Sequence, residues 1–161
     1  MQKLASAGCV RASRRWFGVY SDAIMQQKDL QSRIDAFLDG SPFAVVGAST
    51  DRSKYGNKVL RCYMQNGRVA FPVNPTMTEV EGLKAYPNLR SVPEVVHGIS
   101  IITPPPVTER IIEEAGELGI KHVWMQPGAE SGKAIRRGQE LGMSVIAGGA
   151  CLLVVLGYRE R

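Results

Sequence analysis

The stretch Gly47-Ala48-Ser49-Thr50-Asp51-Arg52-Ser53-Lys54-Tyr55-Gly56-Asn57 places glycines, hydroxyls and two cations in front of a helical pattern. Those residue types suit a phosphate. The unpaired N–H groups at a helix start carry partial positive charge and point at an anion. Gly47 is expected to let the backbone approach a ligand, Ser49 and Ser53 to offer hydroxyls, and Arg52 and Lys54 to add full positive charge. The spacing is not the dinucleotide fingerprint GxGxxG, and no GxxxxGK[ST] phosphate loop is present. The next strand pattern ends in Asn74-Pro75, where NAD-dependent dehydrogenases usually carry an Asp or Glu for the ribose hydroxyls. A small NAD(P)-binding oxidoreductase stays open as an alternative on these grounds.

Other reactive side chains are sparse. Cys9, Cys62 and Cys151 show no CxxC spacing and no histidine in metal-ligand register, so no metal site is expected. His97 and His122 stand alone in the sequence. No Ser/His/Asp set or paired-carboxylate motif is visible, and no catalytic residue is assigned.

The elements that must position the loop follow from periodicity. Leu30, Ile34, Phe37 and Leu38 recur at helical spacing and Gly40 can end that helix. Phe43-Ala44-Val45-Val46 is a short apolar strand closed by Gly47, and Val59, Leu60, Tyr63 and Met64 mark a helix that stops at Asn66-Gly67. Strands are predicted at 69–73, 98–102, 120–125 and 143–147, with helices around Val107–Ala115 and Ala134–Leu141 between them. The segment 76–93 reads as irregular, and the apolar tail 150–158 is expected to pack back onto the sheet. Short apolar strands alternating with amphipathic helices specify an α/β fold, a Rossmann-like doubly wound parallel sheet of about five strands with helices on both faces. Ligands of such sheets lie at the carboxyl ends of the strands, where strand order reverses. Here those ends are Gly47-Ala48-Ser49, Asn74-Pro75, Thr103-Pro104, Gln126-Pro127-Gly128 and Gly148-Gly149.

From Phe43 to Cys151 the chain resembles the CoA-binding domain family. That family includes stand-alone CoA-binding proteins, the N-terminal domain of the succinyl-CoA synthetase α subunit, and the matching domain of ADP-forming acetyl-CoA synthetases. The resemblance rests on Val45-Val46-Gly47-Ala48-Ser49, Pro72-Val73-Asn74-Pro75, Gly82-Leu83-Lys84-Ala85-Tyr86-Pro87 and Val123-Trp124-Met125-Gln126-Pro127-Gly128. It implies coenzyme A as ligand. It implies that Gly47, Ala48 and Ser49 meet the pyrophosphate, with Ser53 in the same loop, and that Lys54, Tyr55 and Gly56 contact phosphate and ribose. Asn74 and Pro75 match the turn beside the nucleotide. Thr103 and Pro104 match the turn at the adenine side or the start of the pantetheine arm, and Gln126 and Gly128 match the next strand end. Cys151 aligns with a cysteine that bacterial members often carry as Asp-Arg-Cys-Pro, whereas here the context is Gly149-Ala150-Cys151-Leu152. It reads either as a thiol close to the CoA thiol, able to form a mixed disulfide, or as a small hydrophobe beginning a C-terminal helix.

The resemblance implies a CoA or acyl-CoA binding protein in a carrier, sensor or regulatory role, without catalytic machinery of its own. It also leaves open an accessory subunit of a synthetase-like complex, or a homo-oligomer. In the synthetases further domains supply the phosphorylated histidine and grasp the nucleotide, and neither His97 nor His122 matches that histidine.

The charge pattern separates the two ends of the chain. Of the net charge of +5, four lie in residues 1–28, where Lys3, Arg11, Arg14, Arg15 and Lys28 face only Asp22. The nearly neutral remainder carries no basic stripe with interleaved aromatics, which argues against nucleic acid as a ligand. No apolar run approaches the length of a membrane span. The arginine-rich, serine-containing, acid-poor start reads as a transit peptide within residues 1–28, ahead of a CoA-binding domain over 29–161, and predicts the mitochondrial matrix with the cytoplasm as alternative.

Overall fold

The computed structural model describes residues 13–161, with side chains from Ser21 onward. The chain falls into two units that part between Ser32 and Arg33. In the first, the described residues belong to helix α1, Ser13–Leu38, and nearly all side chains from Ser21 are exposed. The helix starts earlier than the apolar spacing around Leu30 suggests, so residues 13–28 are helical. The transit-peptide reading lies in part on residues 1–12, which are outside the described residues.

The second unit is a parallel sheet. Its strands are β1 (Phe43–Val46), β2 (Ala70–Val73), β5 (Gly98–Ile101), β6 (His122–Met125) and β7 (Ser144–Ile146), in the order β2-β1-β5-β6-β7. Every pairing in it is parallel. The connections are α2 (Tyr55–Gln65), α3 (Pro105–Glu117) and α4 (Gly132–Glu140), and a short α5 (Leu152–Val155) closes the chain. The fold is the Rossmann-like α/β sheet that the alternation of strand and helix patterns specifies.

Side-chain alternation explains the two faces. Ala44, Val46, Ile99, Ile101, Val123, Met125 and Val145 join Ile112 and Ala115 of α3 and Ala134 of α4 in one buried cluster. Their neighbours point the other way. Phe43 stacks between Phe37 and Tyr63 with centroids 5.1 and 4.9 Å away, and Phe37 meets Trp124 edge-on at 5.3 Å. The one polar residue in that face of β5, Ser100, pairs its hydroxyl with Tyr63 Oη at 2.7 Å, so neither is left unsatisfied.

Two expectations need correction. The segment 76–93 is ordered: β3 (Glu79–Val80) and β4 (Leu83–Lys84) form an antiparallel hairpin, followed by a 3₁₀ turn at Leu89–Ser91. Its two turn residues, Glu81 and Gly82, have φ of 51° and 77°, the pattern of a type I′ hairpin. The apolar tail is only half committed to the core. Leu152 is fully buried, while Val154 is 79% exposed.

Candidate functional site

The chain leaves β1, pairs β2 on one side, then crosses to place β5 on the other side. The carboxyl ends of β1 and β5 therefore diverge at a switch point. A cleft of about 460 Å³ opens there, lined by Gly47, Asn74, Pro75, Thr103 and Pro104, with Val107 and Ile111 of α3 as an apolar wall. That volume lies within the range of small-molecule sites. A hollow of about 390 Å³ beside Gln65, Arg159 and Arg161 lies at the far end of α2, away from the strand ends.

The loop after β1 is held by its own polar groups. Gly47 N donates to Val73 O at 3.0 Å, and Ile102 N donates to Val46 O at 2.8 Å. Gly47 has φ +94°, and a Cβ there would sit 2.6 Å from Ile102 O. Its glycine is thus required by backbone strain and by the close approach of β5, not simply by access for a ligand. Gly56 is fixed in the same way, because a Cβ there would collide with Gly47 O. Ala48 O accepts from Asn74 Nδ2 at 2.7 Å, so the Asn74 side chain ties β2 to the loop. Its Oδ1 in turn accepts from Thr76 N and Oγ1.

The loop hydroxyls differ in what they leave free. Ser49 is buried and its Oγ accepts from Asp51 N at 3.1 Å, which leaves its own proton to donate. Ser53 donates both N–H and hydroxyl to Asp51 Oδ1, at 2.9 and 2.6 Å. Those bonds hold the Asp51 carboxyl below the usual carboxylate range and commit the Ser53 hydroxyl inside the loop. Lys54 is the N-cap of α2 and makes no side-chain cap bond; Asn57 N donates to Lys54 O at 3.1 Å, which leaves the amides of Tyr55 and Gly56 at the helix start for another acceptor. Among the described residues Lys54 joins no ion pair, whereas Arg52 lies 3.7 Å from Glu81.

A buried network under the loop escaped the sequence reading. Asn57 Nδ2 donates to Ser49 O and to Glu81 Oε1, each at 2.8 Å, and Asn57 Oδ1 accepts from Arg61 Nε at 2.7 Å. Arg61, only 5% exposed, also donates to Arg52 O at 3.1 Å and to Glu160 Oε1 at 3.0 Å. The Arg61 bond, with Lys58 beside it, lowers the Glu160 pKa to about 2. In the sequence Arg61 looks like one more solvated helix charge; only its i+4 spacing from Asn57 hints at the contact.

The remaining expected residues gather elsewhere on the same edge. Tyr55 Oη lies within hydrogen-bond reach of Cys151 Sγ, at 2.5 Å, and of Gln126 Oε1, at 3.4 Å. Burial, then the Cys151 contact, pushes the Tyr55 hydroxyl above its ordinary pKa, so it stays a neutral donor. Tyr55 faces the end of β6 and the start of α5, and Cys151 is half-buried rather than part of the core. Gly128 is exposed in the turn after β6, with φ +91°, and does not line the cleft. His97 and His122 lie at the opposite, amino-terminal edge of β5 and β6. They are not isolated but stacked on each other at 4.3 Å.

A family model described as a CoA binding domain matches residues 41–157. The chain belongs to the CoA binding domain family. A conserved hypothetical protein of Pyrococcus furiosus superposes with a TM-score of 0.68 at 39% identity, covering 72% of this chain and 99% of that one. The α subunit of ADP-forming acetate–CoA ligase II of Pyrococcus furiosus is 36% identical over 92 residues, 56% of this chain. The apo dinucleotide-forming acetyl-coenzyme A synthetase 1 of Candidatus Korarchaeum cryptofilum superposes at 0.56 with 33% identity, covering 64% of this chain and 25% of that one. The chain spans a fifth of the length of that ligase subunit (20%). The CoA binding domain therefore corresponds to the Rossmann-like unit, and its match includes the Gly47 loop, the cleft and Cys151.

Among the described residues no group of three or more His, Cys, Asp or Glu side chains could hold a metal ion. No helix among them is long and apolar enough to cross a membrane.

Proposed function

We propose that this chain binds coenzyme A or an acyl-CoA at the switch point and acts as a carrier, sensor or regulator of that ligand. The observation that carries the reading is the start of α2, where Lys54 makes no side-chain cap bond and Gly56 packs on Gly47, the residue through which the loop lines an apolar cleft of about 460 Å³. A purine fits between Pro75, Pro104 and the Val107–Ile111 wall. The pyrophosphate fits the Tyr55 and Gly56 amides at the start of α2, the Ser49 hydroxyl and Lys54. The pantetheine arm then runs along the strand ends toward Thr103 and Gln126.

The likeness to ligase chains several times longer favours a second reading, in which a partner subunit completes an active site around the bound ligand. A partner that copurifies and confers acyl-CoA synthesis supports it. The acid-poor start keeps the mitochondrial matrix as the proposed compartment, tested by fractionation of cells expressing the full chain.

Isothermal titration of the full chain with CoA, acetyl-CoA and NADH, under reductant, tests the main reading. Saturable binding of CoA or acetyl-CoA with NADH inert is the expected result. NADH binding in preference to both overturns it in favour of the oxidoreductase alternative.

A further inference from the structure

Lys58, Arg61 and Gln65 recur at helical spacing, so α2 carries a polar stripe along one side. The segment 157–161, which follows α5, is tied to that stripe. Gln65 grips its backbone at two points: Nε2 donates to Arg159 O at 2.7 Å, and Oε1 accepts from Arg159 N at 3.1 Å. Glu160 then takes both cations, with Oε1 3.0 Å from Arg61 Nη2 and Oε2 3.2 Å from Lys58 Nζ. The Tyr158 ring lies over the Arg61 guanidinium at 5.3 Å. Arg52, in the loop after β1, donates to Arg161 O at 3.3 Å.

Arg61 is the cation that this segment encloses. It is buried, and among the described residues Glu160 is the carboxylate that pairs with it. A buried charge stripped of its partner is costly, and a long side chain escapes the cost by turning to water. From its present position Arg61 also donates to Arg52 O and to Asn57 Oδ1, and the Asn57 amide donates in turn to Ser49 O. Glu160 is thus linked through Arg61 and Asn57 to the residue whose hydroxyl suits the pyrophosphate.

We propose that Glu160 is a positioning residue for the ligand loop, and that the segment 157–161 and the bound ligand stabilise one another through Arg61. The inference rests on the CoA-binding reading. Without Glu160, Arg61 turns to water and releases Arg52 O and Asn57. The loop then holds Ser49 and Lys54 in more than one arrangement, and part of the binding energy goes into ordering it. Coupling of this kind is reciprocal: the ligand holds the segment as the segment holds the loop. Charge alone predicts the opposite sign. Glu160 is an acid beside the helix that starts at the phosphate site, and its removal raises the positive potential there, which tightens an anion. Weaker binding on its removal therefore reports positioning.

The test titrates CoA into the full chain and into its Glu160→Ala and Glu160→Gln variants, with urea unfolding of each so that affinities are compared where all are folded. Hydrogen exchange at residues 158–161 is followed with and without saturating CoA. The expected result is binding about five-fold or more weaker in Glu160→Ala. Glu160→Gln should recover part of that loss, because its amide oxygen still accepts from Arg61. CoA should slow exchange at 158–161 in the parent and not in Glu160→Ala, whereas a segment that only adds stability would not respond to the ligand. Equal or tighter binding in Glu160→Ala overturns the inference. So does exchange at 158–161 that CoA leaves unchanged in a parent that binds it, with the binding reading intact. A parent that binds no CoA overturns the two together.

Discussion

Gly56, in the first turn of α2, faces the carbonyl of Gly47 at the end of β1 with no room for a methyl group between them. The contact sets how closely the amino end of α2 approaches the strand end, and hence where the amides of Tyr55 and Gly56 lie. Gly56→Ala must push the helix away from backbone that cannot yield, a clash of the kind that costs about 1–3 kcal/mol. Urea unfolding should register that loss, and CoA titration should show weaker binding as the α2 amides move. Gly128→Ala is the contrast. Its Cβ would meet nothing within 4 Å, so only the strain of φ +91° remains. Equal stability of Gly56→Ala and the parent would refute the packing argument.

Gly47 carries both penalties at once, a positive φ and the collision with Ile102 O. Gly47→Val is therefore expected to destabilise the β1–β5 junction itself, and the loss of CoA binding will accompany a lower urea midpoint. A variant with the parent's midpoint and no binding would show instead that Gly47 serves ligand access alone.

Asn57 is the hinge of the polar network beneath the loop. Asn57→Ala leaves Ser49 O and Arg61 Nε without their partner in a buried setting, at a cost of about 1–3 kcal/mol for each group left unsatisfied. Chemical denaturation should show the loss, and CoA affinity should fall because the loop carrying Ser49 is no longer held. A change below about 0.5 kcal/mol, the range of ordinary surface substitutions, would mean that water replaces the amide fully.

The strands of the sheet were legible because each is a short apolar run closed by Gly, Asn-Pro, Thr-Pro or Gln-Pro, and parallel sheets bury both faces. The hairpin around Glu81-Gly82 was not, since its strands are two residues each and Glu81 is an unusual residue for a positive φ. Residues at strand ends were identified from the switch-point rule and given roles by the family resemblance, and the cleft does gather Gly47, Asn74, Pro75, Thr103 and Pro104. The division between that cleft and the Tyr55–Gln126–Cys151 cluster was invisible, because it depends on strand order. The same holds for the histidine stack, which the pairing of β5 with β6 creates from residues 25 positions apart.

Glu81 holds its carboxylate against Asn57 and within 3.7 Å of Arg52. A phosphate arriving at the loop meets that negative charge. Glu81→Gln keeps an amide oxygen for Asn57 while removing the charge and freeing Arg52. It should tighten CoA binding by about two- to five-fold, the scale of one partly exposed ion pair. The gain should shrink with added salt, as screening predicts. Weaker binding in Glu81→Gln would show that the carboxylate supports the loop more than it repels the ligand.

His122 gives the fold a pH dependence that can be distinguished from that of its carboxylates. Burial, and then the neighbouring His97, lower its pKa from the ordinary 6.5. The charged form is thus disfavoured in the folded state, and the unfolded chain takes up the proton first. Well above pH 6.5 the residue is neutral in both states and costs nothing. Below it, stability should fall progressively as the pH drops toward the folded-state value. Glu160 acts in a lower window: its pKa is depressed from 4.5 to about 2, so its contribution is present above pH 4.5 and lost only as the pH falls through that range. A decline in urea midpoint between pH 7 and 5 therefore belongs to the histidine edge. His122→Phe keeps an aromatic ring on His97 and removes the titration, so its midpoint should stay flatter over the same interval. A parent-like decline in that variant would assign the slope to another group.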